Sequence, residues 1–137
     1  MIAPICILFI ATQQPNCNHS QFNSIAPLTQ SEFHSVLEQS GWPIELYDEA
    51  TVVAYCESNL IPGISNGTNL GLFQINFYYD SGDNQELFSG WARWVRENYG
   101  TIGNPFDPVF NAYVARLIYE RNNGWNHNWA HCGGLVN

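Results

Sequence analysis

Residues 44–58 read IELYDEATVVAYCES, and this stretch decides the fold. Leu46, Ala50 and Val53 stand four and three residues apart, the spacing that lines up one face of an α-helix. One further step of four reaches Glu57. A carboxylate therefore falls on the stripe that the helix buries, close to its C-terminal end. Burial penalises the ionised form and raises the pKa of such a group, and the partial negative charge at a helix C-terminus acts in the same direction. A carboxyl that keeps its proton near neutral pH is a general acid. The other reading of the same residue is a glutamate that closes the helix and points to water.

Working outward, Thr29-Gln30-Ser31-Glu32 reads as a capping box that opens a short helix ending at Gly41. Pro43 then stands where a first helical turn tolerates proline. From Asn59 to Gly90 the helical pattern breaks into Pro62-Gly63, Asn66-Gly67, Gly71, Ser81-Gly82 and Gly90, with Leu72-Phe73-Gln74-Ile75 between turns. Loops with a small hairpin or irregular lobe are expected there. Leu87, Trp91, Trp94 and Val95 mark another helix ending near Gly100. Asp107-Pro108 opens the last long helix, with Asp as cap and Pro at the first position. Its expected stripe is Phe110, Val114, Leu117, Ile118 and Arg121, and Gly124 is expected to close it. The fold class is mainly α with a small β component, a helical domain carrying an irregular or β-hairpin lobe after the helix of Glu57.

The chain has 137 residues, 45% hydrophobic and 15% aromatic, which predicts one domain able to fold without a metal or partner. Four Arg, no Lys and twelve acidic residues leave a formal charge of −8. Nothing on such a surface neutralises a row of phosphates, so nucleic acid is not an expected partner. No apolar run reaches the roughly 18–20 residues that span a bilayer. The first eleven residues, MIAPICILFIA, form an apolar block as long as the core of an export signal, followed by a polar stretch. No Arg or Lys precedes the block and the site after Ala11 is a poor cleavage site; a buried N-terminal element is the alternative. The expected division is a leader and polar segment over residues 1–28 and a folded domain over 29–137, secreted to the extracellular space or periplasm.

Cys6 lies inside that leader and leaves Cys17, Cys56 and Cys132, an odd number. The favoured pair is Cys56 with Cys132, because one sits in a strongly helical segment and the other near the terminus, where a staple suppresses fraying. Closing so long a loop contributes about 4 kcal/mol in the chain-entropy treatment. Cys17 can pair with Cys6 only if the leader is retained. His127, His131 and Cys132 lack a fourth ligand at zinc spacing, so no metal is expected. Sequons at Asn18 and Asn66 are chance occurrences by default.

Three ordered motifs carry a resemblance. Cys56-Glu57-Ser58-Asn59-Leu60, then Asn69-Leu70-Gly71-Leu72-Phe73-Gln74-Ile75-Asn76, is similar to the active-site signature of the lysozyme-like superfamily, which includes lysozymes and soluble lytic transglycosylases. Asp107-Pro108-Val109-Phe110-Asn111 resembles the start of a transglycosylase helix, and Asn111-Ala112-Tyr113-Val114-Ala115 a stretch of animal-type lysozymes. The resemblance runs from about Gly41 to Cys132. It implies a cofactor-free, monomeric enzyme in which Glu57 protonates the glycosidic oxygen of peptidoglycan. By motif position Ser58, Asn69, Gly71, Gln74, Asn76 and Tyr113 line the substrate site. Tyr113 would be the apolar wall that holds the proton on Glu57, or else an ordinary core aromatic. Gly71 would let backbone approach the sugar. Gln74 and Asn76 either bond substrate or tie the loop together, with loop architecture favoured.

The chain departs from animal-type lysozymes at Asn69, where those proteins carry an Asp. A retaining mechanism needs two carboxyl groups about 5–5.5 Å apart, and no acidic residue lies between Glu57 and Asp80. Asp80 and Asp83 read as solvated loop acids. The resemblance then implies the single-acid route of lytic transglycosylases, with a 1,6-anhydro product and Asn69 bonding the N-acetyl group. A hydrolytic lysozyme, and a saccharide-binding module that does not cut, are the alternatives. Trp125 and Trp129 either line a subsite or seal the domain around Cys132, and sealing is favoured.

Overall fold

Helix α1 (Gln30–Gln39) starts where the capping box predicts: Thr29 Oγ1 accepts from the Glu32 backbone N–H at 3.1 Å, and Glu32 returns the bond to the Thr29 N–H at 2.8 Å. The computed structural model describes residues 26–77, 91–100 and 103–136. Cys6, Cys17, Asn18, Asp80, Asp83 and Leu87 lie outside the described residues, as does most of the expected leader. A single 3-10 turn, Ile44–Leu46, with Pro43 as its cap, leads into helix α2 (Tyr47–Ser58). Strands β1 (Ser65–Asn66), β2 (Asn69–Leu70) and β3 (Ile75–Asn76) follow and pair antiparallel in the order β1-β2-β3. Helices α3 (Trp91–Tyr99), α4 (Pro108–Asn122) and α5 (Ala130–Gly133) complete the described chain. The molecule is thus mainly helical with one small antiparallel sheet. None of the described helices is long and apolar enough to cross a membrane.

Helix α1 packs on α2 and α4, and α5 packs on α2. The centre between them is aromatic. Trp42 stacks on Phe73 at 5.9 Å and on Trp125 at 5.4 Å between ring centres. A buried indole must place its N–H. Trp42 donates to the Ala112 carbonyl at 2.8 Å, Trp125 to Glu49 at 3.0 Å and Trp129 to the Phe73 carbonyl at 2.7 Å. Trp125 and Trp129 are therefore buried in the seal of the domain. Beside them Cys56 and Cys132 form the expected disulfide, which joins α2 to α5 across 76 residues of chain.

Two local expectations for α4 need correction. Asp107 caps it and Pro108 opens it as expected, but Arg121 is exposed and does not belong to the buried stripe. The helix buries a broad face made of Asn111, Ala112, Val114, Ala115, Leu117 and Ile118. Arg121 instead swings its guanidinium over the Trp94 ring, 5.1 Å from the centroid. The left-handed position that ends the helix is taken by Asn123, with φ of 54°, and Gly124 follows it. Asparagine tolerates this conformation because its short polar side chain bonds locally.

Asn111 is the fully buried polar residue on that face. Its Oδ1 accepts from the Phe73 N–H at 2.9 Å, and its Nδ2 donates to the carbonyls of Leu70 and Pro105, both at 2.9 Å. One amide thereby holds the turn between β2 and β3 against α4. Replacing Asn111 by Ala strands one buried donor and two buried acceptors at about 1–3 kcal/mol each in full, less what water recovers. Urea unfolding should show Asn111→Ala losing about 3–5 kcal/mol; a loss under about 1 kcal/mol would mean that the turn does not depend on this amide.

Candidate functional site

Glu57 is the penultimate residue of α2, partly buried, one position before the fully buried Ser58. The stripe that predicted it is rotated slightly. Ala50, Val53, Ala54 and Ser58 form the buried line, while Leu46 and Glu57 lie on its margin. A carboxyl at the margin keeps an outlet to solvent while losing much of its hydration. Burial accordingly pushes the Glu57 pKa above the usual glutamate range, and the charge of His131 pulls in the opposite direction. The chain brings these two together through the disulfide, since Glu57 follows Cys56 and His131 precedes Cys132.

Ser58 ties the helix end to the β2–β3 turn. Its Oγ donates to the Leu72 carbonyl at 2.7 Å, with the Ala54 carbonyl at 2.9 Å sharing the proton. Gly71 adopts φ of +78° and is buried. A Cβ there would collide with the Asn111 side chain and come within 2.7 Å of the Pro105 carbonyl, so the space opened by this glycine is filled by α4. Gln74 also has positive φ, 46°, which is costly for a residue with a side chain. Its amide donates to the carbonyls of Gly71 at 2.9 Å and Ile64 at 3.2 Å, and so ties the loop. Asn59 and Leu60 are left-handed as well, with φ of 54° and 60°. Backbone strain thus collects on both sides of the turn next to Glu57, as it does at sites that must hold a fixed geometry.

Asn69 is partly buried in β2 and stands opposite the exposed Asn76 of β3. Tyr113 packs against the core, and the Arg116 guanidinium lies 5.3 Å from its ring centre. One face of that ring is therefore occupied by a cation. Cys132 is bonded to Cys56, which removes it as a thiolate ligand. Among the described residues no group of three His, Cys, Asp or Glu side chains is placed to hold a metal ion.

In the sequence Asn111 belongs to two of the motifs without a role of its own. The available signal was its position on the apolar stripe, three residues before Val114 and seven before Ile118. His131 enters the sequence reading only through the absence of a zinc ligand set, and the signal that ties it to Glu57 is its adjacency to Cys132. No family model, no curated protein and no solved structure matches this chain.

The raised pKa has a consequence for stability. A glutamate whose folded pKa lies above its unfolded one contributes in full below the ordinary value of about 4.3, and the contribution is lost as pH rises through the folded value. Glutamine cannot ionise. Thermal unfolding should therefore show Glu57→Gln melting above the wild type at pH 8, with the gap closing as pH falls toward about 4. A gap of the opposite sign, or one that does not change with pH, would contradict the burial of this carboxyl.

Proposed function

We propose that the protein is a lysozyme-like muramidase that cleaves the β-1,4 bond between MurNAc and GlcNAc in peptidoglycan, with Glu57 as its one catalytic acid. The observation that carries this reading is the partly buried Glu57 carboxyl at the end of α2, whose pKa is raised by desolvation. It agrees with the signature around Glu57, Gly71 and Gln74, and with a fold of helices in which a small sheet follows the helix of that glutamate along the chain.

The chemistry follows the lytic transglycosylase pattern. The Glu57 carboxyl gives its proton to the glycosidic oxygen as the C1–O bond breaks, leaving a carboxylate beside an oxocarbenium-like sugar. The carboxylate then takes the proton of that sugar's own 6-hydroxyl while its oxygen bonds to C1. The 1,6-anhydro ring closes, Glu57 is restored, and no water is consumed. Asn69, an amide where animal-type lysozymes carry a carboxylate, suits this route because it bonds an N-acetyl group without acting as a nucleophile. Gly71, Ser58 and Gln74 hold the turn that shapes the site rather than react. The disulfide fits a protein that works outside the reducing cytosol, extracellular or periplasmic.

Positioned general acids contribute about 10²–10⁴-fold to rate. Glu57→Gln should clear purified cell walls at least about a hundredfold more slowly while remaining folded; clearance at the wild-type rate would end the enzymatic reading. Mass spectrometry of the released fragments should show anhydro-ended muropeptides. Products heavier by one water, with free reducing ends, would assign hydrolysis instead.

A further inference from the structure

The dipeptide Asn-Gly occurs twice in the chain, at Asn66-Gly67 and at Asn123-Gly124. A glycine after an asparagine leaves its backbone nitrogen unshielded by a side chain, and the asparagine amide carbon can reach that nitrogen by closing a five-membered ring. The fold treats the two pairs differently. Asn66 ends β1, and Gly67 and Thr68 form the two-residue turn onto β2, with Gly67 at φ of +64°. Ser65, Asn66, Gly67 and Thr68 are all exposed. Beyond its chain neighbours, no heavy atom lies within 4 Å of where a Cβ on Gly67 would stand. Among the described residues neither the Asn66 amide nor the Gly67 N–H has a hydrogen-bond partner. Asn123-Gly124 instead closes α4. Asn123 is set at φ of 54° and ψ of 45°, and the Gly124 N–H donates to the Tyr119 carbonyl at 3.0 Å.

We propose that Asn66 is a site of spontaneous succinimide formation and deamidation in the folded protein, and that Asn123 is protected from the same reaction. The step consumes only water. The Gly67 nitrogen attacks Asn66 Cγ, the new N–Cγ bond closes the ring, and the Cγ–Nδ2 bond breaks as ammonia leaves with the former Gly67 proton. Water then opens the succinimide. Cleavage of the N–Cγ bond leaves aspartate; cleavage of the bond between that nitrogen and the Asn66 backbone carbonyl leaves isoaspartate, with the main chain rerouted through Cβ and Cγ. Ring closure requires the Asn66–Gly67 peptide to rotate out of its turn. A two-residue strand ending in an uncovered turn offers little resistance to that opening. At Asn123 the same rotation must break the Gly124 bond and undo the left-handed cap that joins α4 to the buried Trp125. Either product adds one negative charge to a chain already at −8, at the position paired with Asn69. Isoaspartate also lengthens the main chain by one methylene and so disturbs the register of β1 on β2. None of this depends on the proposed activity.

Peptide mapping by mass spectrometry tests the assignment, on the full chain made in a host that leaves Asn-x-Thr unglycosylated and held folded for days at mildly alkaline pH with the disulfide intact. The peptide carrying Asn66 should gain one mass unit, with isoaspartate among its products, about tenfold or more faster than the peptide carrying Asn123, the protection expected where a hydrogen-bonded cap must first open. In urea, with the disulfide kept, both sites lose their surroundings and should react at comparable rates. Ion exchange of the folded chain should show an acidic species growing with time, and Asn66→Gln should abolish it. An Asn66 that stays intact in the folded chain, an Asn123 that reacts as fast as Asn66 while folded, or a difference between the two sites that persists unchanged in urea would each overturn the proposal.

Discussion

The amide of Asn111 is the constraint from which the arrangement follows. A sheet of two-residue strands has too little backbone pairing to hold itself in place. Here the β2–β3 turn is held by an amide from the first turns of α4, bonded to Leu70, Phe73 and Pro105. The clamp works only because Gly71 leaves room for it. Once the turn is seated, its Leu72 carbonyl meets Ser58 and its Phe73 carbonyl meets the Trp129 indole. Three distant parts of the chain thus converge behind one short turn, and Glu57 is at its edge.

Glu57 itself is held by opposing influences. Its place on the margin of the buried stripe and at the end of α2 favours the neutral acid. His131, brought in by the disulfide, favours the ionised form. Desolvation is the larger of the two, so the balance leaves the pKa raised. The same disulfide that fastens α5 to α2 therefore also sets the electrostatic surroundings of the candidate acid. The chain's net charge of −8 does not enter this local balance. For the proposed activity it would bear on encounter with an anionic wall, where long-range attraction would be absent.

What was legible in the sequence was what neighbouring residues determine. Thr29 with Glu32, and Asp107 with Pro108, are helix starts written within four residues, and both stand where they were read. The spacing that leads to Glu57 is likewise a property of one helix. Contacts between distant segments were not legible. Arg121 continues the α4 spacing, but the face that packs is set by α1 and the sheet, and the arginine turns out to Trp94. Gly71 was visible as a glycine, yet whether its missing side chain makes room for a ligand or for protein depends on Asn111, forty residues away. The pairing of Asn69 with Asn76 was hidden for a related reason: strands of two residues show no alternation, and only the register brings these positions together. Cys56 and Cys132 were an exception among distant pairs, because few partners were available.

The central claim is that the Glu57 carboxyl keeps its proton above the pH at which an ordinary glutamate loses it. Titration of the carboxyl carbons by NMR, with the Glu57 signal assigned by its absence in Glu57→Gln, reads that proton directly. A midpoint clearly above the reference value of about 4.3 is the predicted result. A midpoint at or below it would contradict the account.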